Sequence, residues 1–498
     1  MAEHFNTYFV AIADKLAENL PITVENPYTY VKPNLNNHLT LEPVTPEECS
    51  IIIKSLKNTK QDPNNISVEM FKKFHHHFLP VICNIINLCF ISGVFPQCFK
   101  HAMVIPIFKK GDSCNMSNYR PIAILPFISK IFERCIFTRI TNYAITCNLL
   151  SPNQFGFSKG KSTQDAIMLL TEEIYNCFNG GDGTFCISIL IDFQKCFDTI
   201  DHDILVNKLG IYGITGTALD LIRCYLSNRT QSVRISSVTS TPLPVCRGVP
   251  QGSILGPLLF LFFINDLPNI SNNFVPILFA DDTTLSLRCS SINEANYLCS
   301  NELEKFFNWS TANKLSVNKN KTYLILHTYC KMNKDLLRVS LNNHTLECAE
   351  EGLFLGVVID KKLNYRSHID YIAAKVSKSI GIIFKLKSLE ISKKILKQVY
   401  FSIVHSHLNY NICSYAGTYD THMNRLLILQ KRAIRIINDE SYLAHTNSLF
   451  FSNRILKIHD MYKLNVGLYM YDRSNSDQYV RTHSHHTRHR NDLLPIRT

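Results

Sequence analysis

The sequence feature that most limits how this chain can fold is a pair of adjacent aspartates between two apolar segments. Asp281 and Asp282 follow residues 274–279 and precede residues 283–287, with only Ala280 in addition between the two runs. Such segments predict two β-strands joined by a tight hairpin. Neighbouring carboxylates about 4 Å apart repel by about 1 kcal/mol in water and by about 4 kcal/mol at an effective dielectric constant of 20. The hairpin therefore needs something that offsets this charge.

A third carboxylate follows another apolar run. Asp192 lies near the end of residues 185–193, which predict a strand buried on both faces, and a lone carboxylate is costly to bury there. Mg²⁺ typically binds one or two carboxylates together with substrate phosphates, and two such ions serve in-line phosphoryl transfer. Neighbouring strands would bring the three aspartates together as such a site. The alternative is an exposed Asp-Asp turn and an unrelated Asp192 that caps a helix.

Two further segments favour phosphate chemistry. Residues 247–253 (RGVPQGS) form a glycine-rich turn before an apolar helix, and glycine permits close approach of a ligand to the backbone. Lys109, Lys110 and Arg120 lie in a turn between apolar segments, where three cations suit a triphosphate. Read alone, the first segment fits an ordinary helix entry and the second fits a solvated basic hairpin.

The order of predicted elements indicates an α+β fold with three regions. Residues 1–100 predict mainly helices, and residues 361–498 predict helices again. Residues 101–360 mix helices with short strands in irregular order, including predicted strands at 321–328 and 353–360. Irregular order argues against a regular βαβ repeat.

The positive charge is concentrated in the last region. Residues 361–498 contain 22 Lys and Arg against 9 Asp and Glu, whereas the whole chain has a net charge of +12. A basic lobe on a neutral body predicts a polyanionic partner, with nucleic acid favoured over membrane. The alternative is a solvated basic surface.

Composition excludes several other classes. No apolar run reaches the 18 or so residues of a membrane span, and the N-terminus lacks the layout of a signal peptide. The 17 cysteines show no C-x-x-C pair, which argues against a structural zinc site and for a reducing compartment. We therefore expect an intracellular protein that is neither secreted nor bound to a membrane.

Taken together, these segments resemble the reverse transcriptases of non-LTR retrotransposons, closest to the jockey type. Seven motifs occur in the family's order and cover about residues 100–370: 118–134, 153–167, 190–205, 247–267, 279–285, 313–322 and 354–369. The resemblance implies a right-hand polymerase with fingers, a ferredoxin-like palm, a basic helical thumb after residue 360 and a helical N-terminal extension.

The resemblance also implies the catalytic centre. Asp192 matches the family's first metal-binding aspartate, and Asp281 and Asp282 match its catalytic pair. They would hold two Mg²⁺ ions, for which Mn²⁺ can substitute. Phe197 matches the aromatic residue under the sugar, whose ring leaves no room for a 2′-hydroxyl; considered alone, Phe197 fits simple core packing.

Other matched residues would bind the substrates. Arg120, assisted by Lys110, would bind the triphosphate, and Gln251 and Gly252 would contact the incoming nucleotide and template. Lys321 matches a lysine near the leaving pyrophosphate, although Lys314 and Lys319 are close in sequence.

The template and primer would meet two further segments. Lys159 and Lys161 would contact template phosphates, and Leu355 and Gly356 would lie in the hairpin that supports the primer. The implied function is an RNA-directed DNA polymerase acting on an RNA template, a DNA primer and deoxynucleoside triphosphates. Related elements carry an endonuclease ahead of the polymerase, so a separate endonuclease is an expected partner. The rival interpretations are a non-catalytic nucleic-acid-binding relic and a host protein that uses the fold for another task.

Overall fold

The first region of the chain is helical, apart from extended segments. The computed structural model describes residues 1–34, 37–58, 62, 66–179, 184–330, 332 and 334–474. Helix α2 begins as its sequence requires, because the Thr45 hydroxyl accepts a hydrogen bond from the Glu48 amide and Pro46 occupies the first turn. The helices of this region are α1 (Ala2–Glu18), α2 (Pro46–Ser55), α3 (Val68–Phe74) and α4 (Leu79–Ser92).

The middle region mixes strands and helices, so the expected α+β class is confirmed. Its first half contains β1 (His101–Phe108), β2 (Tyr119–Ile124), α5 (Phe127–Thr146), α6 (Thr163–Phe178), β3 (Phe185–Ile191), α7 (Cys196–Thr199), α8 (His202–Ile211), α9 (Gly216–Leu226), β4 (Arg229–Ile235), β5 (Val238–Thr239) and β6 (Leu243–Val245). Its second half contains α10 (Leu255–Phe263), β7 (Val275–Phe279), β8 (Asp282–Cys289), α11 (Ile292–Ala312), β9 (Tyr323–His327), β10 (Ser340–Leu341), β11 (His344–Thr345), β12 (Glu347–Ala349), β13 (Glu351–Phe354) and β14 (Val357–Asp360).

Two five-stranded sheets organise this region. The central sheet has the strand order β12-β9-β3-β8-β7, with β12 parallel to β9 and the other pairs antiparallel. The lateral sheet has the order β2-β1-β4-β5, with β6 also paired to β4 and with β1 and β4 parallel. Strand β3 is buried on both faces, which explains its continuous apolar sequence.

The prediction of one continuous strand was wrong. Residues 353–360 do not form a single strand, because the chain reverses at Leu355 and Gly356 into the two-stranded hairpin β13–β14. Both turn residues have positive φ, 45° and 84°. Apolar residues on both sides of the turn made the segment look like one strand, although Gly356 was a local sign of a turn.

The last region is again helical. It contains α12 (Arg366–Ser388), α13 (Lys393–Tyr400), α14 (Ser406–Asn409), α15 (Ile412–Tyr415), α16 (Asp420–Asn438), α17 (Asn447–Ser452) and α18 (Ile458–Ser474). A single π-helical turn, Phe401–His405, joins α13 to α14. These helices share an apolar core with α6 and the β13–β14 hairpin, whereas a larger core fills the space between the central sheet, α5, α8–α11 and the first region.

No single helix in the described part of the chain is long and apolar enough to cross a membrane. The segments Val68–His77 and Leu79–Ser92 have the required length and composition only as a pair bent by 90°.

Candidate active site

The register of the central sheet brings the three predicted aspartates to one end. Strand β3 pairs with β8 so that Ile191 lies opposite Thr283. Asp192 follows Ile191 directly and Asp282 precedes Thr283, so the two aspartates leave neighbouring strands side by side. The backbone of Asp192 is fixed from the other side, because the Asn318 amide donates a hydrogen bond to the Asp192 carbonyl at 2.7 Å. We call Asp192, Asp281 and Asp282 the aspartate cluster.

A strained turn presents the aspartate pair. Phe279 pairs with Asp282, so only Ala280 and Asp281 connect β7 to β8. Ala280 has a φ of 55°, a left-handed conformation that is unfavourable for a residue with a Cβ atom. Both Asp281 and Asp282 are exposed at this turn.

The aspartate cluster is electrostatically crowded. The pKa of Asp282 is raised to about 6, first because its carboxylate is partly desolvated and then because Asp281 and Asp192 carry like charges. The charges of Lys109 and Arg120 act in the opposite direction. Lys321 forms an ion pair with Asp192 at 3.4 Å, and both side chains are largely exposed, so this pair adds little stability.

The donor set of this cluster suits a hard divalent cation. It offers carboxylate oxygens from adjacent strand ends, and a cation would relieve the repulsion that raises the pKa of Asp282. In the described ranges, no three His, Cys, Asp or Glu side chains converge closely enough to enclose a metal by themselves. Mg²⁺ usually keeps water and substrate phosphates among its ligands.

Four cations lie near one another beside the aspartate cluster, and three of them act on its carboxylates: Lys109 and Arg120 on Asp282, and Lys321 on Asp192. Burial lowers the pKa of Lys195, and so do the charges of Lys109, Arg120 and Lys321. The pKa of Lys109 is lowered by its own partial burial and by the charges of Arg120, Lys321 and, least, the adjacent Lys110. Lys109, Arg120, Lys195 and Lys321 are therefore one mutually repelling group, which we call the cation cluster. Such a group is suited to bind a polyanion such as a triphosphate.

Arg120 and Lys321 of the cation cluster were assigned to the site from the sequence, and Lys195 was not. Lys109 was one of three cations considered there for a triphosphate, but it was not among the assigned nucleotide-binding residues. Lys110 was chosen instead, whereas the lysine whose charge acts on Asp282 is Lys109. Lys195 donates hydrogen bonds to the carbonyls of Tyr119 at 3.0 Å and Ser117 at 3.3 Å, and so connects the loop after β3 to β2. Its position three residues after Asp192 was the signal that the sequence offered.

Phe197 and Gln251 are fixed by contacts among helix α7, the glycine-rich turn and helix α10. Phe197 is partly buried and stacks on Phe260 of α10, with ring centroids 4.4 Å apart. The Val249 amide donates to the Phe197 carbonyl at 2.9 Å. Nε2 of Gln251 donates to Oδ1 of Asp198 at 2.8 Å. Desolvation raises the pKa of Asp198 to about 6.

Gly252 allows the glycine-rich turn to lie against β2. Its φ is 125°, and a Cβ atom at this position would lie 2.4 Å from the Ala123 carbonyl oxygen. The Ala123 amide in turn donates to the Gln251 carbonyl at 2.7 Å. This contact joins the turn to the strand that carries Arg120.

Glu133 of α5, a residue that was not predicted from the sequence, fixes the helix that follows this turn. Its carboxylate is fully buried and accepts a hydrogen bond from the Ile254 amide at 2.6 Å, at the start of α10. The positive end of a helix dipole stabilises a carboxylate there, although burial still raises the pKa of Glu133. An acidic residue on the apolar face of a predicted helix was the available signal.

The predicted template and primer residues lie outside the aspartate cluster. Lys159 is exposed before α6. Lys161 is occupied, because its ammonium donates to the carbonyls of Pro152 and of Gln154, the latter at 3.1 Å. Leu355 and Gly356 form the turn of the β13–β14 hairpin, where the hydroxyl of Tyr410 donates to the Leu355 carbonyl at 2.7 Å.

Comparison with known proteins shows a family whose match includes the aspartate cluster. The family described as reverse transcriptase (RNA-dependent DNA polymerase) matches residues 107–359, about half of the chain. The probable RNA-directed DNA polymerase from transposon BS of Drosophila melanogaster is 27% identical over 514 residues, which cover 100% of this chain and 54% of that protein. The RNA-directed DNA polymerase from mobile element jockey of the same species is 25% identical over 444 residues, or 86% of this chain and 48% of that protein.

The chain spans about half the length of the curated relatives that it matches. Members of the matched family generally use divalent metal ions. Because the family match covers half of the chain and includes the aspartate cluster, the chain belongs to the reverse transcriptase family and is similar within it to the polymerases of jockey-type non-LTR retrotransposons.

Proposed function

We propose that this chain is an RNA-directed DNA polymerase of a non-LTR retrotransposon, which extends a DNA primer on an RNA template. The observation that carries the proposal is the register of β3 and β8, which sets Asp192 beside Asp282. The charges of Lys109, directly after β1, and Arg120, in β2 of the lateral sheet, act on Asp282, and Lys321 forms an ion pair with Asp192, so cations adjoin these carboxylates. That combination suits nucleotidyl transfer from a triphosphate.

The proposal includes a right-hand arrangement. Residues 101–360 supply the fingers, with the lateral sheet, and a ferredoxin-like palm, with the central sheet. Residues 361–498 supply a basic thumb and its extension, and residues 1–100 form a helical N-terminal extension. The thumb contacts backbone phosphates, which position a duplex without reading its sequence.

The aspartate cluster holds the metal in this proposal. Two Mg²⁺ ions, for which Mn²⁺ can substitute, supply charge neutralisation at the attacking and leaving oxygens. Asp192 and Asp281 would be the main ligands of these ions, and Asp282 would contribute a further carboxylate. The primer 3′-hydroxyl loses its proton to water as its oxygen forms a bond to the α-phosphorus. The bond from that phosphorus to the oxygen that bridges to the β-phosphate breaks, and pyrophosphate leaves.

The remaining residues bind and select the nucleotide. Arg120 and Lys109 neutralise the triphosphate, and Lys321 donates a proton to the departing pyrophosphate. The ring of Phe197 excludes the 2′-hydroxyl of a ribonucleotide. Gln251 and Gly252, in the glycine-rich turn, contact the nucleotide and the template. The template and primer are also contacted outside that turn, by Lys159, Leu355 and Gly356.

Primer extension tests the proposal directly. The purified chain is incubated with a labelled DNA primer annealed to RNA, Mg²⁺ and deoxynucleoside triphosphates, and a DNA template and ribonucleotides are run in parallel. We expect Mg²⁺-dependent extension on RNA with deoxynucleotides. Binding of the template–primer without extension by the intact chain would overturn the proposal and favour a nucleic-acid-binding role.

A further inference from the structure

A short segment before α6 covers the open edge of the central sheet. Strand β7 is the last strand of that sheet, and its outer side pairs with residues 153–155. The Phe155 amide donates to the Leu278 carbonyl at 2.8 Å, and the Leu278 amide donates to the Asn153 carbonyl at 3.0 Å. The residue between these two partners is Gln154, and its side chain reaches the turn between β7 and β8.

The amide oxygen of Gln154 holds that turn. It accepts hydrogen bonds from the Ala280 amide at 3.0 Å and from the Gly156 amide at 2.9 Å. Ala280 is the strained residue immediately before Asp281, and strain of this kind persists only where the surroundings fix it. Gln154 is 2% exposed, so water does not compete for these bonds.

Gly156 allows the segment to approach closely. A Cβ atom at this position would lie 2.4 Å from the Ala280 nitrogen and 2.8 Å from the Phe279 carbonyl carbon. Real Cβ contacts are essentially never shorter than 3.0 Å, so a side chain here would push the turn away. Gly156 does not have positive φ, so space rather than backbone conformation demands the glycine.

The buried side-chain amide of Gln154 lowers the stability of the fold, because within the described part of the chain only its oxygen is hydrogen-bonded. Nε2 of Gln154 is buried and has no hydrogen-bond partner among the described residues, and an unpaired buried donor is unfavourable. A methionine of similar length would fill the same space without that penalty. The benefit of glutamine is the position of its oxygen on the Ala280 amide.

We propose that Gln154 is a positioning residue that fixes the Ala280–Asp281 turn and thereby sets the metal affinity of the aspartate cluster. This role rests on the proposed polymerase function, because metal affinity matters only there. Gln154 touches neither the carboxylates nor the reacting atoms in this account; it acts through the backbone of Ala280.

Hydrogen–deuterium exchange at the Ala280 amide tests the contact without metal, nucleotide or activity. We expect Gln154→Met to speed exchange at Ala280 by about tenfold, the effect of removing one buried hydrogen bond. Gln154→Glu keeps an acceptor at the same place and keeps the slow exchange. Gln97→Met is the matched control, because Gln97 is exposed and donates only to the distant Asn228 carbonyl. If Gln154→Met does not fold, Gln154→Asn, which is one carbon shorter, carries the same test.

The Mg²⁺ concentration for half-maximal primer extension is the second readout. We expect Gln154→Met to raise it by about 10- to 100-fold, as is usual when an outer partner of a metal ligand is removed. A merely structural role would lower the active fraction and leave this midpoint unchanged. Unchanged exchange together with an unchanged midpoint overturns the role of Gln154. Absence of extension by the unaltered chain overturns the polymerase function instead, and exchange still decides the contact.

Discussion

Gln251 donates a hydrogen bond from Nε2 to Oδ1 of Asp198 at 2.8 Å, and this bond joins the turn before α10 to helix α7. Phe197 precedes Asp198 and stacks on Phe260 of α10. The ring proposed to exclude a 2′-hydroxyl and the amide proposed to contact the nucleotide therefore belong to one packed unit. A substitution of Phe197 removes its ring stacking on Phe260 without breaking the hydrogen bond between Asp198 and Gln251.

We predict that Phe197→Ala admits ribonucleotides. Removal of the ring opens space beneath the sugar, so the preference for deoxynucleotides should fall by about 100-fold, the scale on which an apolar pocket rejects one hydroxyl. Single-nucleotide incorporation with matched deoxy- and ribonucleotides measures the ratio of kcat/KM values. Phe178→Ala, which removes a ring packed on Tyr329, is the control. Unchanged sugar selectivity in Phe197→Ala would refute the proposal that this ring excludes the 2′-hydroxyl.

We predict that Asp281→Asn reduces extension by at least about 100-fold, the upper range for removal of even an outer metal partner. Asp281 is exposed on the turn, so the fold should persist and template–primer affinity should change little. Steady-state extension together with filter binding separates the two effects. Asp220→Asn is the control, because Asp220 only pairs with Arg223 on an exposed helix surface. Comparable activity in Asp281→Asn would remove this residue from the site.

We predict that extension declines as the pH falls through about 6. The pKa of Asp282 is raised to about 6, first by desolvation and then by Asp281 and Asp192, so this carboxylate becomes neutral below that pH and binds metal less well. A pH–rate profile at fixed Mg²⁺ measures the decline, and excess Mg²⁺ should shift the midpoint to lower pH. A flat profile between pH 5 and about 7 contradicts the assignment.

The same pKa has an opposite effect on the stability of the metal-free protein. Between its ordinary value of 3.8 and about 6, Asp282 binds more protons in the folded state than in the unfolded state. Its contribution to stability is therefore greatest at low pH and is lost as the pH rises through that window. We expect Asp282→Asn to reduce the loss of stability across this range, measured by denaturant unfolding without metal. An unaltered pH dependence in that variant would count against the raised pKa.

We predict that Lys109→Ala raises the KM for deoxynucleoside triphosphates more than Lys110→Ala does. The charge of Lys109 acts on Asp282 and repels Arg120 and Lys321, which places it in the cation cluster. Removal of one charge-assisted hydrogen bond corresponds to about 1.5–3 kcal/mol, or about 10- to 100-fold in KM. The neighbouring lysine is the matched control, since it has the same charge and length. Equal effects of the two substitutions would disprove the preference for Lys109.

We predict that Lys378→Gln and Lys385→Gln each weaken template–primer binding and lower its salt dependence, by about one unit of slope for each phosphate that is no longer neutralised. Both side chains are exposed seven residues apart on α12, and so lie on one helix face. Lys387→Gln is the control, because Lys387 already forms an ion pair with Asp439. Nucleotide selectivity should stay unchanged. A salt slope equal to that of the unaltered chain would indicate a solvated surface instead.

The sequence predicted the parts of the fold that depend on local pattern. The apolar runs around Asp192 and the Asp281–Asp282 pair became β3, β7 and β8, and the mixed class and helical end regions agree with the element order. The apolar pattern of residues 353–360 was read as one strand because apolar residues lie on both sides of the turn, although the resemblance had placed Leu355 and Gly356 in a hairpin.

The supporting residues were harder to predict because their partners are distant in the chain. Gln154 meets Ala280 across 126 residues, and Glu133 meets Ile254 across 121. Neither contact has a local sequence period, since each depends on how separate elements pack. The preference for Lys109 over Lys110 likewise depends on a contact between separate elements, because it rests on the charge of Lys109 acting on Asp282. The roles given to the predicted site residues stay predictions.

The pairing of β3 with β8 also determines where this chain can accept inserted residues. Asp192 and Asp282 lie side by side only because Ile191 lies opposite Thr283, and a register shift of one residue would turn every side chain of the shifted strand to the opposite face. Extra residues in the exposed turn between β4 and β5 leave that alignment intact, whereas one residue added within β8 moves Asp282 away from Asp192. A scan of single-residue insertions along the gene would thus trace the paired strands as intolerant intervals separated by permissive loops.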